Sequence, residues 1–261
     1  MAIRISIITI CYNNLQELIT TCSSVDNQLV KPFEHWIIDG SDNGEIKSYL
    51  ENTEHPPYRK WLCERDKGIS DAFNKGILRS TGDIVNMLNS GDFYYDAHTL
   101  ELVDRTFTLS IDAAWLHGKY ELKRGGMWVI IGKAFSRKKL YRGMRSVSHQ
   151  TMFIKRRLHD QYGLYDTHLK IAMDYDFLCR IGNEPFVFIE QPLIRFVPDG
   201  ISETEYLNSL KELKSVYERY YGFSLKLQVW QIRLKLLHYL IKSPVGKWLY
   251  KIKVMLKLEN I

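Results

Sequence analysis

The chain has 261 residues and a mass of 30.7 kDa, room for one large domain with an appendage but not for two full cores. Apolar residues make up 45% and charged residues 25%, which excludes a disordered chain, a collagen-like repeat and a bundle of membrane spans. The net charge of +6 is uneven: from Phe223 to Ile261 eight basic residues (Lys226, Arg233, Lys235, Lys242, Lys247, Lys251, Lys253, Lys257) face one acid, Glu259, so this tail carries +7 and everything before it −1. Four scattered cysteines (Cys11, Cys22, Cys63, Cys179) form no CxxC pair, which argues against zinc and disulfides and fits a reducing cytoplasm. No apolar run reaches the roughly 18 residues that a membrane span needs.

The elements follow in chain order. Ile5–Ile10 is a β-branched run, too short for a signal peptide and expected to be a buried strand. Leu15, Leu18, Ile19, Cys22 and Val25 recur at helical spacing. His35–Asp39 is a second strand, ending in the turn cluster Gly-Ser-Asp-Asn-Gly. Tyr58–Cys63 is a third; Ser70 is the expected N-cap of a helix through Arg79; Asp83–Leu88 is a fourth strand. Strands alternating with helices predict a parallel sheet covered on both faces, with ligands bound beyond its carboxyl ends. The polar clusters Tyr12-Asn13-Asn14, Asp39–Asn43, Glu64–Lys67 and Asn89–Asp92 all fall at those ends and make one rim. Further on, the pattern predicts a helix over Thr99–Phe107, a hairpin of Ala114–Leu122 and Met127–Ile131 around Lys-Arg-Gly-Gly, a strand His149–Ile154, a helix Asp174–Ile181 and a strand Phe186–Ile189. Leu227, Trp230, Leu234, Leu237 and Ile241, and after Pro244 Val245, Trp248, Ile252 and Met255, mark two basic amphipathic helices.

Dinucleotide, P-loop, zincin and serine-hydrolase motifs do not occur. The chemistry that remains is acidic groups on loops. Asp92, in Leu-Asn-Ser-Gly-Asp after a strand, suits a hard divalent cation held jointly with a phosphate, with Gly91 permitting close backbone approach; it equally suits a turn that caps the next helix. Asp174 opens a helix, where an acid is ordinarily a cap favoured by the dipole. Arg180 fits either an anionic ligand or a nearby acid, and His149 either a ligand contact or a structural role.

Taken in order, SIITICYNN, IIDGSDNG, ERDKGISDAFNKGILRSTGDIVNMLNSGD, HQTMFIKRR, GLYD and MDYDFLCR resemble the family 2 glycosyltransferases of GT-A fold over roughly Ile3 to Ser202, and most nearly the bacterial cytoplasmic enzymes of surface-polysaccharide assembly. The resemblance implies an α/β fold with a mostly parallel central sheet flanked by helices, a catalytic domain over 1–222 and a basic helical tail over 223–261. It implies a nucleotide-sugar donor, a UDP-sugar, lying along Ile10 to Tyr12, with Asp39 on the base and Asp66, Ser90, Gly91, His149 and Arg180 as further donor contacts. Asp92 would be the ligand of Mn2+ or Mg2+, and Asp174 the general base for the hydroxyl of a glycan or lipid-linked glycan acceptor. Transfer would invert the anomeric centre in one displacement. Two positions depart from the family pattern: Gly91 stands where an acid commonly precedes the metal ligand, and Met173 replaces the first acid of the Glu-Asp pair.

Two other classes compete. A metal-dependent nucleotidyltransferase would need a Gly-rich, basic triphosphate loop near the first strand, and a nucleic-acid binder a basic stripe across the main fold; the sequence has neither. The tail reads as an in-plane anchor on an anionic membrane surface, placing the protein on the inner face of the cytoplasmic membrane, or as two helices packed on the body.

Overall fold

A computed structural model describes residues 3–124, 126–145, 147–196, 204–244 and 246. β1 (Ile5–Cys11), α1 (Leu15–Asp26), β2 (Glu34–Asp39), α2 (Glu45–Asn52), β3 (Arg59–Cys63), α3 (Ile69–Arg79) and β4 (Ile84–Met87) form the alternating first half. β5 (Phe93–Tyr94), α4 (Thr99–Leu109), β6 (Trp115–Arg124), β7 (Met127–Ile131), β8 (Phe153–Lys155), α5 (Arg157–Tyr162), α6 (Met173–Ile181) and β9 (Phe186–Phe196) follow, then α7 (Tyr206–Tyr221) and α8 (Leu225–Lys242). The strands make one sheet in the order β3-β2-β1-β4-β8-β6-β9-β5, with β7 paired to β6.

Parallel pairing, as the alternation predicted, joins β3, β2, β1 and β4. Beyond β4 the sheet is mixed: β8 runs antiparallel to both β4 and β6, β6 and β9 are parallel, and β5 and β7 are antiparallel edges. Ile5, Ile7 and Ile8 are all buried because helices cover both faces, which is why β1 reads as a continuous apolar run. One core packs Ile8, Ile38, Phe73 and Trp115 with Tyr175 and Phe177 of α6; a second packs Ile7 and Phe153 with Leu100, Val103 and Phe107 of α4; a third packs Ile37 with Leu18 and Cys22 of α1 and Ile46 and Leu50 of α2.

The register sets the rim. Cys11 pairs with Asp39 and Asp39 with Cys63, so β1, β2 and β3 end at one level. Past β4 the chain stays beside β1, with Leu88 N–H donating to Ile8 O at 2.9 Å and Ser90 N–H to Ile10 O at 3.2 Å, which carries Asn89–Asp92 to the same edge.

Two expectations change. His149–Thr151 is a 3-10 turn, and only Phe153–Lys155 is strand: the Asn86 side chain donates to the carbonyls of Gln150 (2.9 Å) and Met152 (3.0 Å) and holds the segment off the ladder. Ser70 is not the cap of α3; the helix starts after Gly68, and the Ser70 hydroxyl donates to Leu169 O at 3.0 Å. Of the two readings of the tail, α8 fits packing on the body, since Leu227, Gln231 and Leu234 are buried and Gln231 donates to Leu210 O at 3.1 Å. The second tail helix expected after Pro244 lies outside the described residues.

Candidate active site

Asp39 is 3% exposed at the end of β2, where its carboxylate accepts from Ser41 N–H at 3.0 Å. Asp66 sits against the next residue: a Cβ on Gly40 would lie 1.9 Å from Asp66 Oδ2, so only glycine lets the β2 and β3 loops close on each other. Asp66 also accepts from Gly68 N–H at 2.8 Å, which fixes it at the entry of α3. Ile10, at the end of β1, is partly buried, and Tyr12 is 57% exposed above it, a free aromatic surface at the mouth. The Tyr12 hydroxyl donates to Asp42 Oδ2 (3.1 Å) and Asn13 Nδ2 to Asp42 Oδ1 (2.8 Å). Those two bonds lower the Asp42 pKa and the first of them raises that of Tyr12. Asp42 thus joins the first two loops, a role that its place in a turn cluster did not announce.

The loop after β4 is pinned by α1. The Thr21 hydroxyl donates to Asp92 O at 2.8 Å and accepts from Gly91 N–H at 2.9 Å. Gly91 has φ +96°, a conformation that favours glycine over any acid, which accounts for the departure at this position. Asp92 is 7% exposed, and Gln150 Nε2 donates to its Oδ2 at 3.1 Å. Asn89 Oδ1 and Ser90 Oγ, on the same loop, are buried with no partner among the described residues. A carboxylate on a loop that also carries unsatisfied oxygens suits a hard cation that shares the rest of its shell with phosphate and water. No group of three or more His, Cys, Asp or Glu side chains gathers to hold a metal by itself among the described residues.

The 3-10 turn brings His149 across to this loop. Asn89 Nδ2 lies 3.2 Å from His149 Nε2, and His149 Nδ1 lies 3.4 Å from Asp174 Oδ2, with both partners of the second contact about a quarter exposed. With the Asn89 amide nitrogen donating to Nε2, the imidazole proton sits on Nδ1 and faces Asp174. Asp174 Oδ1 accepts from Tyr175 N–H at 2.7 Å, so the carboxylate is oriented by the first turn of α6. Met173 is buried in the main core, where an acid would lose its hydration; this accounts for the second departure.

Glu212 of α7 completes the support. Its Oε2 accepts from Ile171 N–H (2.8 Å) and Ala172 N–H (2.9 Å), and its Oε1 from Lys170 N–H (3.2 Å). This carboxylate anchors the segment that leads into α6 up to the cap position, Ala172, whose own side chain makes no cap bond.

Arg180 does not join the rim. Its guanidinium is spent on Asp176 (Nη2 at 2.9 Å, Nε at 3.1 Å) and on the carbonyls of Tyr162, Gly163 and Leu164. Asp176, 1% exposed, also accepts from Arg219 (3.3 Å) and the Tyr220 hydroxyl (2.9 Å), so this pair is a structural clamp. The four cysteines are free, and burial pushes the Cys22 and Cys63 thiols up to about 11 and Cys179 to about 12, with Cys11 higher still, so none is an activated nucleophile. A cavity of about 370 Å³ lined by Tyr95, His98, Glu101, Arg105 and Gln191 includes none of these site residues.

A parallel sheet with its polar rim beyond the strand ends is the setting in which α/β proteins bind ligands. The chain belongs to glycosyl transferase family 2, whose family model matches residues 6–163, and sugar transfer is its class of activity. An uncharacterized glycosyltransferase of Mycobacterium tuberculosis is 29% identical over 83% of this chain and 85% of its own. Among solved structures, the mannosyltransferase PcManGT from Pyrobaculum calidifontis, in complex with GDP-Man and Mn2+, matches at TM-score 0.63 and 14% identity over 100% of this chain and 82% of its own. S. aureus TarS 1–349 in complex with UDP-GlcNAc matches at TM-score 0.59 and 14% identity over 84% of this chain and 67% of its own, and the chain spans 40% of the longer TarS chain. The fold is therefore the GT-A type, a mixed α/β fold with a curled central sheet.

Proposed function

We propose that the protein is an inverting glycosyltransferase that moves a hexosyl or N-acetylhexosaminyl group from a UDP-sugar to a hydroxyl of a glycan or lipid-linked glycan in bacterial surface-polysaccharide assembly. One observation carries the reading: His149 bridges Asp174 to Asn89 on the loop that holds Asp92, so an acid suited to a hydroxyl is tied through one imidazole to the loop of an acid suited to a diphosphate-bound cation. Asp39 and Asp66 take the nucleoside side of the donor, and Tyr12 covers it. Asp92, with Asn89 and Ser90 beside it, would hold Mn2+ or Mg2+, which supplies charge neutralisation for the departing diphosphate.

Asp174 removes the acceptor proton as the hydroxyl attacks from the face opposite the diphosphate, and His149 keeps its carboxylate aimed. General-base assistance contributes typically ~10²–10⁴-fold in rate. No enzyme nucleophile is required, in keeping with the raised thiol pKa values. Arg180 drops out of the donor contacts proposed from sequence, because its donors are engaged elsewhere.

The same reading makes 1–222 the catalytic domain and 223–261 a helical tail that rests reversibly on the anionic inner face of the cytoplasmic membrane, where lipid-linked acceptors are presented. No described helix is long and apolar enough to cross a membrane. Support comes from α8, which leaves Leu225, Val229, Ile232 and Leu236 exposed. A screen of nucleotide sugars by thermal shift and by metal-dependent turnover tests the function. A UDP-sugar with manganese raises Tm and is consumed, and EDTA abolishes the turnover; stabilisation by a nucleoside triphosphate or an oligonucleotide alone refutes it.

A further inference from the structure

Residues 132–145 carry Lys133, Arg137, Lys138, Lys139, Arg142 and Arg145 and no acid. In the sequence this is a loop without a motif. In the fold its 3-10 turn, Arg137–Arg142, lies against α7 and α8, and three guanidiniums converge on one ring. The carbons of Arg142, Arg145 and Arg233 stand 5.2, 5.1 and 5.1 Å from the centroid of Trp230, with Tyr141 edge-on to the same indole at 6.3 Å. None of the three arginines forms an ion pair among the described residues, and all three are exposed. Attraction to the ring face offsets part of their mutual repulsion. A gathering of guanidiniums with no carboxylate is complementary to phosphate, which matches their fork geometry.

The face beside this cage is apolar. Leu225, Val229, Ile232, Leu236, Tyr239 and Leu240 follow one another at intervals of four, three, four, three and one, and are 44–70% exposed. The opposite face, with Leu227, Gln231 and Leu234, holds α8 on the body. At 3.6 residues per turn, Lys226 and Arg233 border the outer stripe on one side and Lys235 and Lys242 on the other; α8 contains no acid. An apolar stripe edged by cations suits the boundary between headgroups and acyl chains, with the basic side chains reaching up to the phosphates.

We propose that Arg142, Arg145 and Arg233 around Trp230 form a binding site for the phosphate of an anionic membrane lipid, occupied while the outer stripe of α8 lies in the bilayer surface. The site rests on the membrane reading of the tail and extends it to the catalytic body. It also ties docking to the chemistry, because the Tyr175 hydroxyl donates to Leu140 O at 2.7 Å and so links the 3-10 turn to the residue after Asp174.

Flotation of the full chain with phosphatidylcholine vesicles, with and without phosphatidylglycerol, tests this at low salt. Each basic residue near an anionic surface contributes on the order of 1 kcal/mol. The triple variant R142Q/R145Q/R233Q is therefore expected to bind phosphatidylglycerol vesicles on the order of 10²-fold more weakly than wild type, with Tm and turnover on a soluble acceptor unchanged. The variant K133Q/K138Q/K139Q, which removes equal charge outside the cage, loses much less. Equal losses in the two variants overturn the site and leave only diffuse attraction of the tail, and unchanged binding of the arginine variant does the same. If wild type ignores phosphatidylglycerol vesicles, the membrane reading of the tail fails with it. Stabilisation of wild type but not of the arginine variant by inorganic pyrophosphate, without vesicle binding, overturns the lipid assignment in favour of a soluble phosphate.

Discussion

Glu212 gives the sharpest test of how the fold holds the proposed base. It lies on α7, 38 positions beyond Asp174, and accepts three backbone N–H groups of the segment that enters α6. Glu212→Ala leaves the N–H groups of Ile171 and Ala172, both buried residues, without an acceptor. A buried donor left unsatisfied costs ~1–3 kcal/mol, and Lys170 is exposed and returns to water, so the expected loss of stability is about 3 kcal/mol. Asp174 follows Ala172 by two residues, so the freed turn lets the carboxylate drift from His149. Turnover is expected to fall tenfold or more, while the donor KM is unchanged because the donor rim is untouched. Glu212→Gln keeps the shape and one good acceptor and restores most of both losses. Urea denaturation and steady-state kinetics on the three proteins measure this. Wild-type turnover in the alanine variant, or a loss that appears in the donor KM instead, refutes the positioning argument.

Three further outcomes are expected. Asp39→Ala weakens UDP binding and leaves turnover at saturating donor nearly intact, by calorimetry and kinetics; unchanged UDP affinity with lost turnover counts against a contact to the base. Asp92→Asn abolishes metal-dependent turnover, and activity that survives EDTA undiminished rules out the metal role. Burial pushes the Glu34 carboxyl up, but the Thr81 amide, Lys60 and Ser6 outweigh it and hold the pKa at about 2 against an ordinary value of 4.5. Since the folded value is the lower one, its contribution of about 3 kcal/mol is complete above pH 4.5 and is lost as the pH falls toward 2. Glu34→Gln should therefore flatten the acid limb of stability measured by denaturant titration between pH 7 and pH 3; an acid limb of unchanged slope contradicts it.

The first half of the fold was legible because its signals are local. β-branched runs and turn clusters mark β1 to β4, and parallel pairing in register then brings the polar ends together without further information. What escaped the sequence depends on distant partners. The turn at His149 exists because Asn86 holds two carbonyls 64 and 66 residues away, so the local strand propensity loses. Gln150 and Glu212 act on the site across similar separations and carry no motif. Arg180 had a visible alternative: Asp176 stands four residues before it on the same helix, the spacing of an intrahelical ion pair, and that pairing takes the guanidinium. The basic run 132–145 showed its charge openly, but its meaning depends on Trp230 and Arg233, which arrive only when α8 folds back on it.

In the proposed function Asp174 acts as the base for sugar transfer from a nucleotide donor. Its most direct measurement is UDP release from a panel of UDP-sugars by wild type and Asp174→Asn, with manganese and an extract of bacterial membrane lipids as acceptor, alongside the UDP–manganese affinity of each protein. Wild type is expected to consume one donor, the variant to be slower by ~10²–10⁴-fold, and both proteins to bind UDP with manganese equally well. Equal rates for the two proteins would reduce Asp174 to an acid at a helix terminus and contradict its role as base.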